Sequence, residues 1–160
     1  MPNKLRSVEK GLRVIGYGGD VDNLVLSMNR AAERAAPEAK KIFWDAIGEM
    51  TIDDAQRILN GPPTAATDYF KDKTSASLTL AFRPIVDRAM DEVGTVKQYN
   101  ELLGQARTIP FLKPESVDLD RYVVGKALDG LFLVVGDEER KIRTNPAARV
   151  TSLLKEVFAK

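Results

Sequence analysis

A chain of 160 residues carrying 24 basic and 23 acidic side chains has the size of one domain and can bury roughly 70% of the surface its unfolded form exposes. The balanced charge, formally +1 with no basic block, lacks the footprint of a phosphate-backbone binder, so no nucleic acid partner is expected. Cysteine and histidine are both absent, which removes disulfides, thiol nucleophiles, imidazole bases and the usual zinc ligands together; no metal and no cofactor is expected.

The start, MPNKLRSVEKGLRV, has no long apolar run before a small-residue cleavage site, so no secretion signal is expected in the chain as it stands. A first amphipathic helix is predicted over Lys4 to Ile15, ending at Gly16-Tyr17-Gly18-Gly19. Asp20 is then expected to cap a helix whose apolar positions are Val21, Leu24, Val25, Met28, Ala32 and Ala35. Pro37 ends that helix and suits the first turn of the next, which puts Ala39, Ile42, Phe43, Ala46, Ile47 and Met50 on one stripe.

Thr51 and Asp54 form a loose capping box for a short helix through Ala55, Ile58 and Leu59, stopped by Asn60-Gly61-Pro62-Pro63. Thr64 is expected to cap a turn carrying Tyr69 and Phe70. Ser75 or Ser77 would start a longer helix facing Leu78, Ala81, Ile85, Val86, Ala89, Met90 and Val93 one way, with a kink or break at Pro84. Gly94-Thr95 closes it and opens a short segment from Val96 to Leu103. Periodicity is lost from Gly104 to Ser116, where Pro110 and Pro114 bracket Phe111 and Leu112 in a loop.

From about Val117 a long helix follows, apolar on nearly every side between Tyr122 and Val135 yet holding Lys126 and Asp129. A helix hydrophobic all round must be enclosed, and this one is shorter than the roughly 20 residues that span a bilayer, so it is not expected to cross a membrane. It reads as the axis of a soluble fold. Asn145-Pro146 ends it, and a last helix places Ala147, Val150, Leu153, Leu154, Val157 and Phe158 on one face. The whole predicts an all-α fold: one domain over 1–160, a multi-helix bundle of about eight helices around a central hydrophobic C-terminal helix.

Few residues point to chemistry. The glycines of LRVIGYGGDVDNLVL imitate a dinucleotide-binding turn, but the third glycine and the later acidic residue are missing, and a helix follows where a strand is needed. Lys126 and Asp129, three residues apart, share a helix face; they read as an ion pair fixing register or, alternatively, as the lining of a polar pocket. Leu26, Asn29 and Glu33 lie beside the main stripe of their helix, as does Trp44 on the next, so they form either a second packing layer or a binding groove. Asp137, Glu138 and Glu139, followed by Lys141 and Arg143, read as a solvated helix end.

Several strings together resemble a bacterial family called domain of unknown function 4197. They are KLRSVEKGLRVIGYG (Lys4 to Gly18), LSMNRAAERAAPEAKKIF (Leu26 to Phe43), DDAQRILNG (Asp53 to Gly61), AATDYF (Ala65 to Phe70), KALDGLF (Lys126 to Phe132), EERKIRTNPAARV (Glu138 to Val150) and LLKEVF (Leu153 to Phe158). The resemblance implies an all-helical domain in proteins that usually begin with an export signal, sometimes of lipoprotein type, followed by a further helical stretch. This chain corresponds to the later part. A periplasmic or cell-envelope location is thus implied by the family, with the cytoplasm as the alternative, and no catalytic residue is carried over.

The leading expectation is a non-enzymatic module of the bacterial envelope that binds a protein partner or small apolar ligand. Its surface would use Leu26, Asn29, Glu33 and Trp44 or the loop residues Ile109, Phe111 and Leu112. Two rivals stand beside it: a carboxylate-dependent hydrolase with a pocket near Lys126 and Asp129, and a homo-oligomeric structural protein using the same apolar positions.

Overall fold

A computed structural model of the chain describes residues 5–109 and 118–158. Among them are eight α-helices and no strand: α1 (Arg6–Val14), α2 (Gly18–Ala35), α3 (Ala39–Gly48), α4 (Ile52–Asn60), α5 (Ala65–Glu92), α6 (Thr95–Arg107), α7 (Leu119–Thr144) and α8 (Ser152–Val157). The all-α class follows the apolar periodicity. None of these helices is long and apolar enough to cross a membrane.

The helices fall into two compact units, the boundary crossing α5 after Leu78 and α7 after Ala127. The first unit holds α1, α2, the later part of α5, α6 and the start of α7. Here α1, α2 and α6 pack on one another, burying Leu5, Val8 and Leu12 against a core that includes Leu24, Met28, Leu102 and Leu103. Gly16, with φ +97°, makes the turn from α1 to α2 in a conformation that disfavours a Cβ. Arg13 steadies that turn by pairing with Glu9 at 3.1 Å and Asp22 at 2.7 Å. Asp20 does not cap α2: the helix begins two residues earlier at Gly18, leaving Asp20 in its first turn, where a negative charge suits the helix dipole.

In the second unit, α3, α4, the first part of α5, the later part of α7 and α8 share a smaller core. Phe70 lies 5.1 Å from Phe43, centroid to centroid, and Phe43 lies 6.1 Å from Phe132, so three rings form its apolar centre. The Thr51 capping box is complete, with the Thr51 hydroxyl accepting the Asp54 N–H and the Asp54 carboxylate accepting the Thr51 N–H. Gly61 follows α4 in an extended conformation, at a place with no room for a side chain. A Cβ there would stand 2.6 Å from the Arg57 carbonyl oxygen and 2.7 Å from the Ala65 Cβ.

Three expectations are corrected. Neither Ser75 nor Ser77 starts a helix, and Pro84 breaks none, because α5 runs unbroken for 28 residues. Thr74 spends its hydroxyl on the Phe70 carbonyl, 2.6 Å away within the helix, and the carbonyl that Pro84 leaves without a donor belongs to Leu80, a residue 76% exposed, where water can replace the lost partner. The segment after Pro84's helix is longer than expected as well, since α6 continues through Gly104 to Arg107.

The long C-terminal helix forms, but its enclosure is partial. Leu119, Val123, Val124 and Phe132 are buried, whereas Leu133 and Val134 are 62% and 60% exposed. The last predicted helix is also interrupted: a 3-10 turn at Pro146–Ala148 precedes α8, which Thr151 caps, and Val150 and Leu153 remain exposed.

Candidate functional site

In the first unit a cleft of about 230 Å³ opens along α2. Asn23, Leu26, Ser27, Arg30, Ala31 and Arg34 recur at the spacing of one helical face, so α2 presents them as a single stripe. Ala89 and Val93, near the end of α5, and Gln98 of α6 complete the lining. Ala31 and Ala89 are buried and small, which leaves the space above them, while Leu26 and Val93 are 46% and 48% exposed and give the cleft an apolar part.

Its electrostatics are one-sided. Among the described residues no carboxylate lines the cleft, and two guanidinium groups do. Arg34 pairs with Glu92 of α5 at 2.6 Å, but among the described residues Arg30 has no acidic partner. The Ser27 hydroxyl donates to the Leu24 carbonyl at 2.9 Å and so offers the cleft only its lone pairs. The donors left to an incoming group are therefore Arg30 and the amides of Asn23 and Gln98.

A second cleft, of about 300 Å³, lies in the second unit among Ile42, Asp45, Glu49, Tyr69, Lys73 and Ser77. Its charges are of both signs and partly answered: Lys41 pairs with Asp45 at 2.9 Å, and the Lys73 ammonium stands 5.9 Å from the centre of the Tyr69 ring. The core niche between α1, α2 and α6 measures about 10 Å³, room for one water at most. It offers no ligand site.

The most enclosed charges have a structural job. Glu139 and Arg143, on α7, pair at 2.9 Å with side chains only 10% and 12% exposed. Glu139 accepts the backbone N–H groups of Ala66 and Thr67 at 2.9 and 2.8 Å and the Thr67 hydroxyl at 2.7 Å, so it caps the N-terminus of α5 from another helix. Arg143 donates to the carbonyls of Ile58 and Leu59 at 2.7 and 3.3 Å, capping the C-terminus of α4. The Phe158 ring lies over both Arg143 and Arg149, at 5.5 and 5.9 Å. Partial burial works to raise the Glu139 carboxyl, but the Ala66 and Thr67 donors and the Arg143 guanidinium outweigh it and hold the group below the ordinary glutamate value. Glu138 and Lys141 are exposed and Asp137 is partly so, as expected of a solvated helix end, whereas Glu139 and Arg143 form a clasp for two other helices.

A group of opposite tendency lies in the first unit. Desolvation, then the neighbouring Asp87, Asp118 and Asp91, raise the Asp120 carboxyl above the ordinary aspartate value, with Arg83 opposing. One oxygen of Asp87 is buried and has no hydrogen-bond partner among the described residues. Asp120 lines neither cleft. Among the described residues no group of acidic side chains is arranged to hold a metal ion.

Of the predicted binding residues, Leu26 lines the first cleft, while Asn29 and Glu33 are exposed on the other flank of Leu26 and do not line it. Trp44 is 63% exposed on α3, in the second unit. Ile109 is half-buried just beyond α6, and Phe111 and Leu112 lie outside the described residues. Lys126, at the end of the first unit, and Asp129, in the second, are each exposed on α7. Sequence reasoning missed Arg30 and Arg34. The signal was available: two arginines four apart, with Leu26 four residues before the first, place cations and an apolar group on one face.

No curated protein and no solved structure matches the chain. The family model described as "Protein of unknown function (DUF4197)" matches residues 1–159, and by that match over nearly its whole length the chain belongs to this family.

Proposed function

We propose that the protein is a non-enzymatic binding module that receives a small ligand in the α2 cleft. The observation that carries the reading is the cleft itself: an open space of about 230 Å³ with exposed Leu26 and Val93 on its wall and an Arg30 that has no acidic partner among the described residues. Exposed apolar side chains beside a few convergent polar groups are the usual composition of ligand sites. The volume lies below the roughly 300 to 1,000 Å³ of drug-sized pockets, so the ligand is small, or only one end of it enters.

The hydrolase reading gains no support, since Lys126 and Asp129 are exposed and Glu139 is held in its charged form by structural partners. The proposed location is the bacterial envelope, supported by the export signals usual in the family.

The test is a spin-labelled or fluorinated fragment screen read by NMR on isotope-labelled protein. Binding should shift the amides of Asn23 to Arg34 and Gln98. A screen in which no fragment perturbs that face would overturn the proposal.

A further inference from the structure

We infer that the ligand of the α2 cleft is an organic anion, its carboxylate or phosphate head on Arg30 and its apolar part against Leu26 and Val93; this rests on the binding-module reading above. Charge decides the head group. Among the described residues the lining holds two guanidinium groups and no acid, and Glu92, the acid paired with a lining residue, is already spent on Arg34. One positive charge is left over on Arg30, with the amides of Asn23 and Gln98 able to donate beside it. Arginine suits this role because its planar fork matches the two oxygens of a carboxylate or phosphate. A cation would meet only repulsion, and a neutral apolar molecule would leave the guanidinium without use.

Shape decides the rest. Arg30 stands one helical turn from Leu26 on the same stripe, so a head on Arg30 directs an attached chain along α2 toward Leu26. Val93 supplies apolar surface from the turn after α5. The bridge from Arg34 to Glu92 closes the opposite end and competes with the ligand for Arg34. Removing the competing carboxylate should therefore tighten binding rather than weaken it, an outcome that a damaged fold cannot imitate.

The test uses the whole chain and titrates it with octanoate, octyl phosphate, octanol and octylammonium by calorimetry, with Arg30→Gln and Glu92→Gln alongside. Octanoate or octyl phosphate should bind while octanol and octylammonium do not, and the preferred one of the two anions identifies the head group. Arg30→Gln should weaken that anion about tenfold, the loss of one charge-assisted contact, and Glu92→Gln should strengthen it severalfold. Octanol binding as well as the anions, indifferent to Arg30→Gln, would overturn the anion inference and leave the binding module standing. Anion binding unchanged in both variants would place the site elsewhere and overturn the inference as well. Failure of all four probes with the wild type and with Glu92→Gln would overturn both.

Discussion

Arg143 donates to the Ile58 carbonyl at 2.7 Å, a contact across 85 positions of the chain that ends one helix with a side chain from another. Its partner Glu139 does the converse for α5, so the acid sits where backbone N–H groups gather and the base where carbonyls gather. Each charge thereby answers a helix dipole as well as its neighbour. In a unit whose apolar centre is three rings, this polar clasp ties α7 to the ends of α4 and α5.

Glu139→Gln should destabilise the protein by about 1–3 kcal/mol at pH 7, because an amide offers one acceptor oxygen where the carboxylate offers two and leaves the charged Arg143 largely buried without its counter-charge. Urea denaturation monitored by circular dichroism measures it. The wild-type advantage has a definite pH range: the folded-state value lies below the ordinary 4.5, so the stabilisation is fully present above that value and is lost as pH falls below it, through the folded-state value. Stability curves of wild type and variant should converge on acidification. Parallel curves down to pH 3 would show that the Glu139 charge contributes nothing.

Asp120→Asn should act in the opposite sense. A carboxyl raised above its ordinary 3.8 is ionised at a cost in the folded state, and that cost grows as pH rises from 3.8 through the folded-state value. Removing the charge should stabilise the protein by roughly 0.3–1 kcal/mol at pH 7 and by nothing in strong acid. Thermal melts at the two pH values decide it, and a lower melting temperature at pH 7 would contradict the crowding of Asp87, Asp91 and Asp118 around it.

Thr51→Ala should cost about 1 kcal/mol, the usual loss when an N-cap hydroxyl is removed. Hydrogen exchange of the Asp54 amide, which the hydroxyl now accepts at 3.1 Å, should quicken in the variant while amides of α6 stay as they were. Unchanged exchange at Asp54 would show the capping box to be idle in solution.

These cases also separate what was legible in the sequence from what was not. The Thr51 box, the stop at Asn145-Pro146 and the stripes of α1 and α2 are set by neighbours a few residues apart, and local pattern reveals them. That Pro84 does not break its helix was not legible, because whether the orphaned Leu80 carbonyl can meet water is decided only by the fold. Leu133 and Val134 mislead in another way, since an apolar composition is compatible with burial but does not enforce it. Glu139 and Arg143 were illegible for a plainer reason: their partners lie 72 to 85 positions away, and in the string EERKIR they look like any charged helix end. Leu26 was found by lying off the main stripe. Arg30 was passed over because an arginine on an outward helix face is ordinary until the neighbours that fail to neutralise it are known.

The crowding at Gly61 carries its own consequence for how this family can vary. Its φ of −85° is open to any amino acid, so the demand there is for volume and not for backbone freedom. Even one added methyl group at that corner would meet both backbone and side chain. An alanine at this spot would have to push α4 and α5 apart, and with them the two helix ends that the clasp from α7 holds in register.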